Sequence, residues 1–252
     1  MSEKTQIYNL VILDRSGSMN SMRQAALDGF NETLAGIKAA QIKYSDTQTH
    51  FISLLSFCSC RQDYTYDKVS AQNADPLQLT DYVPCCRTPL YDAMGQAITS
   101  LESYVKDIPD YSVIVTIITD GRENSSRTFT SERVKALVNR LQKDGWNFTY
   151  MGANQDSVFV GKTLGITQVR NYQATSMGMR AAYEQDRRQR ATYFEHVHRA
   201  KHKYSSSPAM SASEQRLMYS KLAADSYMEA EQTSASPLVT SPYSNPPAST
   251  KH

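Results

Sequence analysis

The sequence predicts an α/β domain in which a mostly parallel central sheet carries helices on both faces and one antiparallel strand at its edge. Three observations predict it. Apolar runs of strand length alternate with stretches of helical periodicity along most of the chain. One run, Val113 to Thr119, is apolar at successive positions, as strands buried on both faces are. Two neighbouring extended runs, Phe51 to Phe57 and Gln62 to Val69, are too close in sequence for a parallel return, which needs a crossover of about a dozen residues.

The elements follow in order. Ile7 to Leu13 reads as the first strand. From about Met22, Leu27, Phe30, Leu34 and Ile37 recur at spacings of three and four, the stripe of a helix laid on a sheet. Phe51 to Phe57 is the second strand, and Gln62 to Val69 returns antiparallel beside it as an edge. Leu90, Met94, Ala97, Leu101 and Val105 mark a second helix, and Val113 to Thr119 a central strand. Val134, Leu137, Val138 and Leu141 give a third helix, with Lys143 in its last turn and Gly145 just beyond to end it. Trp146 to Met151 forms a strand, Val158 to Leu164 a short helix, Thr167 to Tyr172 a last strand, and Ala174 to about Arg199 a final long helix. This alternation is Rossmann-like, and in such sheets ligands bind beyond the carboxyl ends of the strands.

Composition bounds the rest. The 252 residues carry 27 basic and 25 acidic side chains, a net charge of +2 that gives no support to a dedicated nucleic-acid binder. No apolar run approaches the roughly 20 residues of a membrane span, and Met1 to Asn9 lacks a basic then apolar layout, so a cytoplasmic protein is expected. On that expectation Cys58, Cys60, Cys85 and Cys86 are reduced structural thiols. From Ser205 onward 12 serines and 5 of the 9 prolines make the chain too polar to close a core. We therefore expect one domain over 1–204 and a mostly disordered tail over 205–252. Within that tail a marginal helix over 212–230 is suggested by the Ser211, Glu214 capping box and a loose apolar side.

Three loops leave the carboxyl end of the sheet. The first strand runs into Asp14-Arg15-Ser16-Gly17-Ser18, which places three oxygen-bearing side chains at period two. The long connection to the second helix ends in Arg87-Thr88-Pro89-Leu90, where Thr88 also fits an ordinary helix N-cap with Pro89 at the first helical position. The central strand ends in Thr119-Asp120-Gly121. Each string alone is consistent with a turn or a cap. Together they offer two carboxylates and three hydroxyls with no soft donor, a set suited to a hard cation, Mg²⁺ or Mn²⁺.

These residues resemble the metal-ion-dependent adhesion site of von Willebrand factor type A (vWA) domains, a D-x-S-x-S string with a distant Thr and a distant Asp. The resemblance runs from about residue 5 to 200. Thr88-Pro89-Leu90-Tyr91-Asp92-Ala93, Thr119-Asp120-Gly121 and Gly152-Ala153-Asn154-Gln155-Asp156 are more narrowly similar to cytosolic vWA proteins of bacteria and their phages. It implies Ser16, Ser18 and Thr88 as direct metal ligands and Asp14 and Asp120 as ligands often acting through water. It also implies an open coordination position filled by a Glu or Asp of a partner protein. Arg15, Arg122, Glu123, Asn124, Asn154 and Asp156 would form the rim. Cys85-Cys86 stands where many relatives carry glycine.

Two other readings compete with a binding module. A Mg²⁺-dependent hydrolase would use the same site with Glu123 as base, but all five histidines lie outside the three loops, and no turnover is expected. A nucleic-acid-associated scaffold would use the end of the last helix. There, between Arg180 and Lys203, seven Lys and Arg side chains face three acids, and His198 and His202 stand one turn apart. A solvated helix face is the favoured account of that stretch.

Overall fold

The computed structural model describes residues 4–153, 157–204 and 210–234. Strands β1 (Thr5–Asp14), β2 (Gln48–Cys58), β3 (Arg61–Ser70), β4 (Tyr111–Thr119), β5 (Asn147–Ala153) and β6 (Gln168–Tyr172) form one sheet in the order β3-β2-β1-β4-β5-β6. All neighbours are parallel except β2 and β3, the antiparallel edge pair. Helices α1 (Arg23–Lys43), α2 (Leu90–Val105), α3 (Ser131–Lys143), α4 (Ser157–Thr163), α5 (Ser176–Tyr204) and α6 (Ala212–Ser234) complete the chain, and a 3₁₀ segment, Gly17–Met22, precedes α1.

Alternation along the strands builds two cores. Ile7, Val11 and Leu13 of β1 join Ile114 and Ile118 of β4 under α1, α5 and α6. Tyr8, Leu10 and Ile12 join Val113, Val115 and Ile117 under α2 and α3. The first core also contains a polar knot that the sequence does not announce. Arg190 of α5 is buried, its guanidinium donating to Asp186 at 2.7 Å, to Asn9 of β1 at 2.8 Å and to Thr116 of β4. Each guanidinium nitrogen has a partner, and the bonds to Asn9 and Thr116 tie α5 to the sheet without stranding a charge.

The basic face of the same helix is largely solvated, with Arg180, Arg188, Arg199 and Lys203 exposed, while Arg190 is buried. Besides Arg190, Arg180 pairs with Asp28, Arg187 with Glu32 and Glu184, Arg199 with Glu195, and Lys201 with Asp110. His198 and His202 both approach Asp46. Much of the charge is thereby matched within the protein, and a nucleic-acid contact draws no support from it.

The stretch beyond 204 is also not what its composition suggests. α6 covers the expected helix and docks on α5 and the amino ends of β1 and β4, with Tyr219, Ala223 and Ser226 buried. The Tyr219 hydroxyl lies 2.9 Å from Asp110 and 2.8 Å from the Thr5 hydroxyl. Gly145, whose φ of +88° ends α3, lies so close to α6 that a Cβ there would sit 2.4 Å from the Arg216 carbonyl. Packing therefore continues past the expected boundary at 204. The reason is that a few well-placed aromatic and small residues close an interface even where mean hydropathy is low.

His50 lies in β2 with no solvent exposure, edge-on to Phe194 at 4.5 Å, and burial, aided by Arg190, pushes its pKa down to about 3. The unfolded chain thus takes up a proton that the folded one refuses between pH 6.5 and about 3, and this group lowers stability as pH falls through that window. Buried carboxylates with raised pKa slope the other way, so the informative quantity is the difference between wild type and His50→Gln. Urea midpoints should show wild type losing about 2 kcal/mol relative to the variant between pH 7 and pH 4.5.

Candidate metal centre

Each of the three loops is placed by the strand or helix it adjoins. β1 ends at Asp14 beside Phe57 of β2, and β4 ends one residue before Asp120, so both acids emerge at the carboxyl edge of adjacent strands. Asp14 has no solvent exposure. Its Oδ1 accepts the Ser16 amide at 2.7 Å and its Oδ2 accepts the Thr119 hydroxyl at 2.6 Å. Below it the buried Tyr82 hydroxyl donates to the Asp14 carbonyl, which fixes the loop from underneath. Ser16 and Ser18 hydroxyls lie 3.1 Å apart, and Ser18 donates to Asp120 Oδ1 at 2.6 Å.

Thr88 reaches the same spot by a route that corrects the cap reading. Helix α2 begins at Leu90 with no side-chain cap from the residue before it. Its first amides are taken instead by the loop after β4: Glu123 Oε2 accepts Tyr91 N at 3.0 Å, and the Ser126 hydroxyl accepts Asp92 N at 3.1 Å. In return Asp92 accepts the amides of Arg127, Thr128 and Phe129. Asn124 Oδ1 accepts the Thr88 amide at 2.9 Å while the Asn124 amide donates to the Thr88 carbonyl at 3.1 Å. With the helix start served by others, the Thr88 hydroxyl is left facing the two acids.

Gly121 measures the convergence. A Cβ built there would stand 3.1 Å from Thr88 Oγ1, 3.5 Å from Ser18 Oγ and 3.7 Å from Asp14 Oδ2. Any side chain at 121 would fill the cradle these oxygens line. Burial pushes the Asp14 pKa up to about 6 against the pull of its hydrogen bonds, and burial raises that of Asp120 as well. Two partly desolvated carboxylates and three hydroxyls make a donor set that fits a hard divalent ion.

Several residues expected on the rim do other work. Arg15 is 6% exposed, donates to the Val83 carbonyl at 3.1 Å and pairs with Asp63, so its side chain ties the loop to the neighbouring segments rather than standing free on the rim. Glu123 has both carboxylate oxygens engaged by the amides of Tyr91, Ser125 and Ser126 and by the Ser126 hydroxyl, so it ties the loop together rather than lining the rim as a free acid. Asn124 holds Thr88. Arg122 is exposed at the edge of the cradle. Asn154 and Asp156 lie outside the described residues.

Sequence reasoning missed two features here. The loop-to-helix exchange through Asp92, Glu123 and Asn124 joins residues some 30 positions apart and has no periodic signal. The expectation of four reduced thiols is corrected: Cys60 and Cys86 form a disulfide. The turn after β2 brings them together, with Ser59 N donating to the Arg87 carbonyl and the Ser59 hydroxyl accepting Arg87 N. Cys86 adopts φ +63°, the left-handed region that favours glycine.

No family model matches the sequence and no curated protein resembles it closely enough to be matched. Solved structures do. The pilus adhesin SpaC of Lactobacillus rhamnosus GG is similar with a TM-score of 0.57 at 13% identity, over 77% of this chain and 31% of its own. Proximal thread matrix protein 1 of the mussel byssus gives 0.48 at 12% identity, over 71% of this chain and 44% of its own. The VWA domain of SpRpn10 gives 0.48 at 10% identity, over 71% of this chain and 94% of its own. The sheet order, the single antiparallel edge strand and the helices on both faces complete the comparison. The fold is that of a vWA domain. The chain spans less than half the length of the first two proteins. Among its described residues no helix is long and apolar enough to cross a membrane.

Proposed function

We propose that the protein is a divalent-metal-dependent protein-binding module that uses a metal-ion-dependent adhesion site to grip an acidic residue of a partner. Ser16, Ser18 and Thr88 would hold Mg²⁺ or Mn²⁺ directly, with Asp14 and Asp120 completing the shell through water. The observation that carries this reading is the convergence of Thr88 Oγ1, Ser18 Oγ and Asp14 Oδ2 on the space above Gly121. When bound, the ion supplies a locally dominant positive charge that hydroxyl ligands do not cancel, so an anionic oxygen from outside is favoured. The chain's own residues set the geometry: Asp14 orders Ser16 through its amide, Asn124 orients Thr88, and Glu123 ties the Asp120 loop to α2. SpaC, a neighbour in fold, is an adhesin, which agrees with recognition as the role.

Binding rather than turnover also agrees with the surroundings of the site. His50 sits near the start of β2, and His196, His198 and His202 are engaged along α5 with Ser226, Thr47 and Asp46. Glu123, the one carboxylate that a hydrolase would need as a base, is saturated with donors.

The test is a peptide-display selection in Mg²⁺ with elution by EDTA. Enriched peptides should share a Glu or Asp whose change to Gln or Asn abolishes capture, and Thr88→Ala should weaken that capture more than about tenfold, or 1.4 kcal/mol, with an unchanged circular dichroism spectrum. Peptides that stay bound in EDTA and tolerate Thr88→Ala would place recognition on another surface.

A further inference from the structure

All four cysteines of the chain gather at one place, from two segments far apart in sequence. Cys58 ends β2 and Cys60 follows in the turn, while Cys85 and Cys86 lie just before Thr88. Cys60 and Cys86 are bonded, and the sulfurs of Cys58 and Cys85 lie 3.3 Å apart as thiols. The second pair therefore spans the same two segments as the first.

The segment these sulfurs hold is a structural part of the metal cradle. Cys85 N donates to the Arg15 carbonyl at 2.8 Å and Gly17 N donates to the Cys86 carbonyl at 3.1 Å, so residues 85 and 86 are laced to the D-x-S-x-S loop. Thr88 follows two residues later. Cys58 and Cys60 border an open polar cleft of about 600 Å³ whose walls include Arg61, Arg87 and Arg127. Cys58 is buried, whereas Cys85, outside the lining of that cleft, is partly exposed and within electrostatic reach of Arg61 on its wall. As the more exposed thiol of the pair, Cys85 is the one that an anionic small disulfide meets first.

We propose that Cys58 and Cys85 form a second, reversible disulfide in exchange with an anionic small-molecule disulfide such as oxidised glutathione, and that this bond tightens the cradle around Thr88. The regulatory half rests on the metal-site reading given above. Cys85, having released its proton to solvent, attacks the small disulfide and forms a mixed disulfide, expelling one small thiol. The Cys58 sulfur, likewise deprotonated, then attacks Cys85 Sγ and expels the second. Two protein thiols are oxidised to one disulfide while one small disulfide is reduced to two thiols. With two bonds across it, the 85–88 segment loses freedom before an ion arrives, so less order remains to be imposed on binding.

The experiment equilibrates the full chain in glutathione buffers of increasing oxidised fraction, quenches in acid, and labels free thiols with N-ethylmaleimide after denaturation. Digestion with trypsin without reductant leaves both cysteine pairs on the same two peptides, 44–61 and 69–87. The expected result is a linked peptide pair that carries two maleimide groups at low oxidised fraction and none at high. Over the same range Mn²⁺ affinity, measured by calorimetry, should tighten by roughly threefold to tenfold, the effect of immobilising one or two flexible groups in advance. The double variant Cys58→Ser, Cys85→Ser should keep one affinity throughout.

Cys58 and Cys85 that remain labelled at every ratio, or that pair with Cys60 and Cys86 instead, overturn the proposal. So does a reduced chain that holds one equivalent of Zn²⁺ through its thiolates and resists oxidised glutathione, because the cluster would then be a soft-metal centre. A second disulfide that forms without changing Mn²⁺ affinity overturns the regulatory half. Absence of Mn²⁺ binding in every redox form would instead strike the metal-site reading, and the peptide mapping would still decide the cross-link.

Discussion

Asp120→Ala should abolish Mn²⁺ binding in calorimetry while thermal unfolding and circular dichroism stay near wild type. Asp120 is only partly buried, and its one hydrogen bond from within the cradle comes from Ser18, whose freed hydroxyl still has Ser16 beside it. Removing the carboxylate also takes away a negative charge that raises the pKa of Asp14, so the apo fold loses little. Asp14→Ala is the less clean experiment: it strands the buried Ser16 amide, at a cost of about 1–3 kcal/mol, and leaves the Thr119 hydroxyl only the Gly121 carbonyl to donate to. A complementary variant removes no donor at all. Gly121→Ala puts a methyl group 3.1 Å from Thr88 Oγ1 and into the space that the oxygens share, and should weaken Mn²⁺ more than about tenfold. Wild-type affinity in both Asp120→Ala and Gly121→Ala would sink the site assignment.

Loss of α6 destabilises the whole domain. Tyr219 is 1% exposed and its hydroxyl bonds to Asp110, which also accepts from Lys201 at 2.6 Å and from Thr5 at 3.1 Å. Tyr219→Ala should cost about 3–5 kcal/mol, the range for emptying a buried aromatic site. Tyr219→Phe, which removes only the hydroxyl, should cost about 1 kcal/mol. A chain ended at residue 204 loses Tyr219 and Ala223 from the first core and exposes the surfaces they cover, and its melting temperature should fall by about 10 °C or more. A truncated chain that melts with the full-length protein would show that the domain does end at 204 and that α6 is an accessory.

Both predictions rest on residues whose legibility differed. Val113 to Thr119 is legible as a central strand because burial on both faces demands continuous apolar side chains, and the site acids are legible because they directly follow strands. Tyr219 was invisible as an anchor, since one aromatic in a polar stretch has the same sequence signature whether it docks or not. Arg190 was read with its neighbours as surface charge for the same reason: its partners Asn9 and Thr116 are 181 and 74 positions away.

By itself the sequence determined the order and type of the elements, the antiparallel edge, and the five oxygen-bearing residues that the sheet could bring together. These follow from local rules: strand and helix periodicity, turn length, and the placement of loops at strand ends. Only the tertiary structure decided that Thr88 is released from capping because Glu123 and Ser126 take the helix amides. It alone engaged Arg15 with Val83 and Asp63, bonded Cys60 to Cys86, and drew α6 into the core. In each case the outcome depends on which of several competing partners a polar group or sulfur meets in space, and contacts between distant segments leave no periodic trace in the chain.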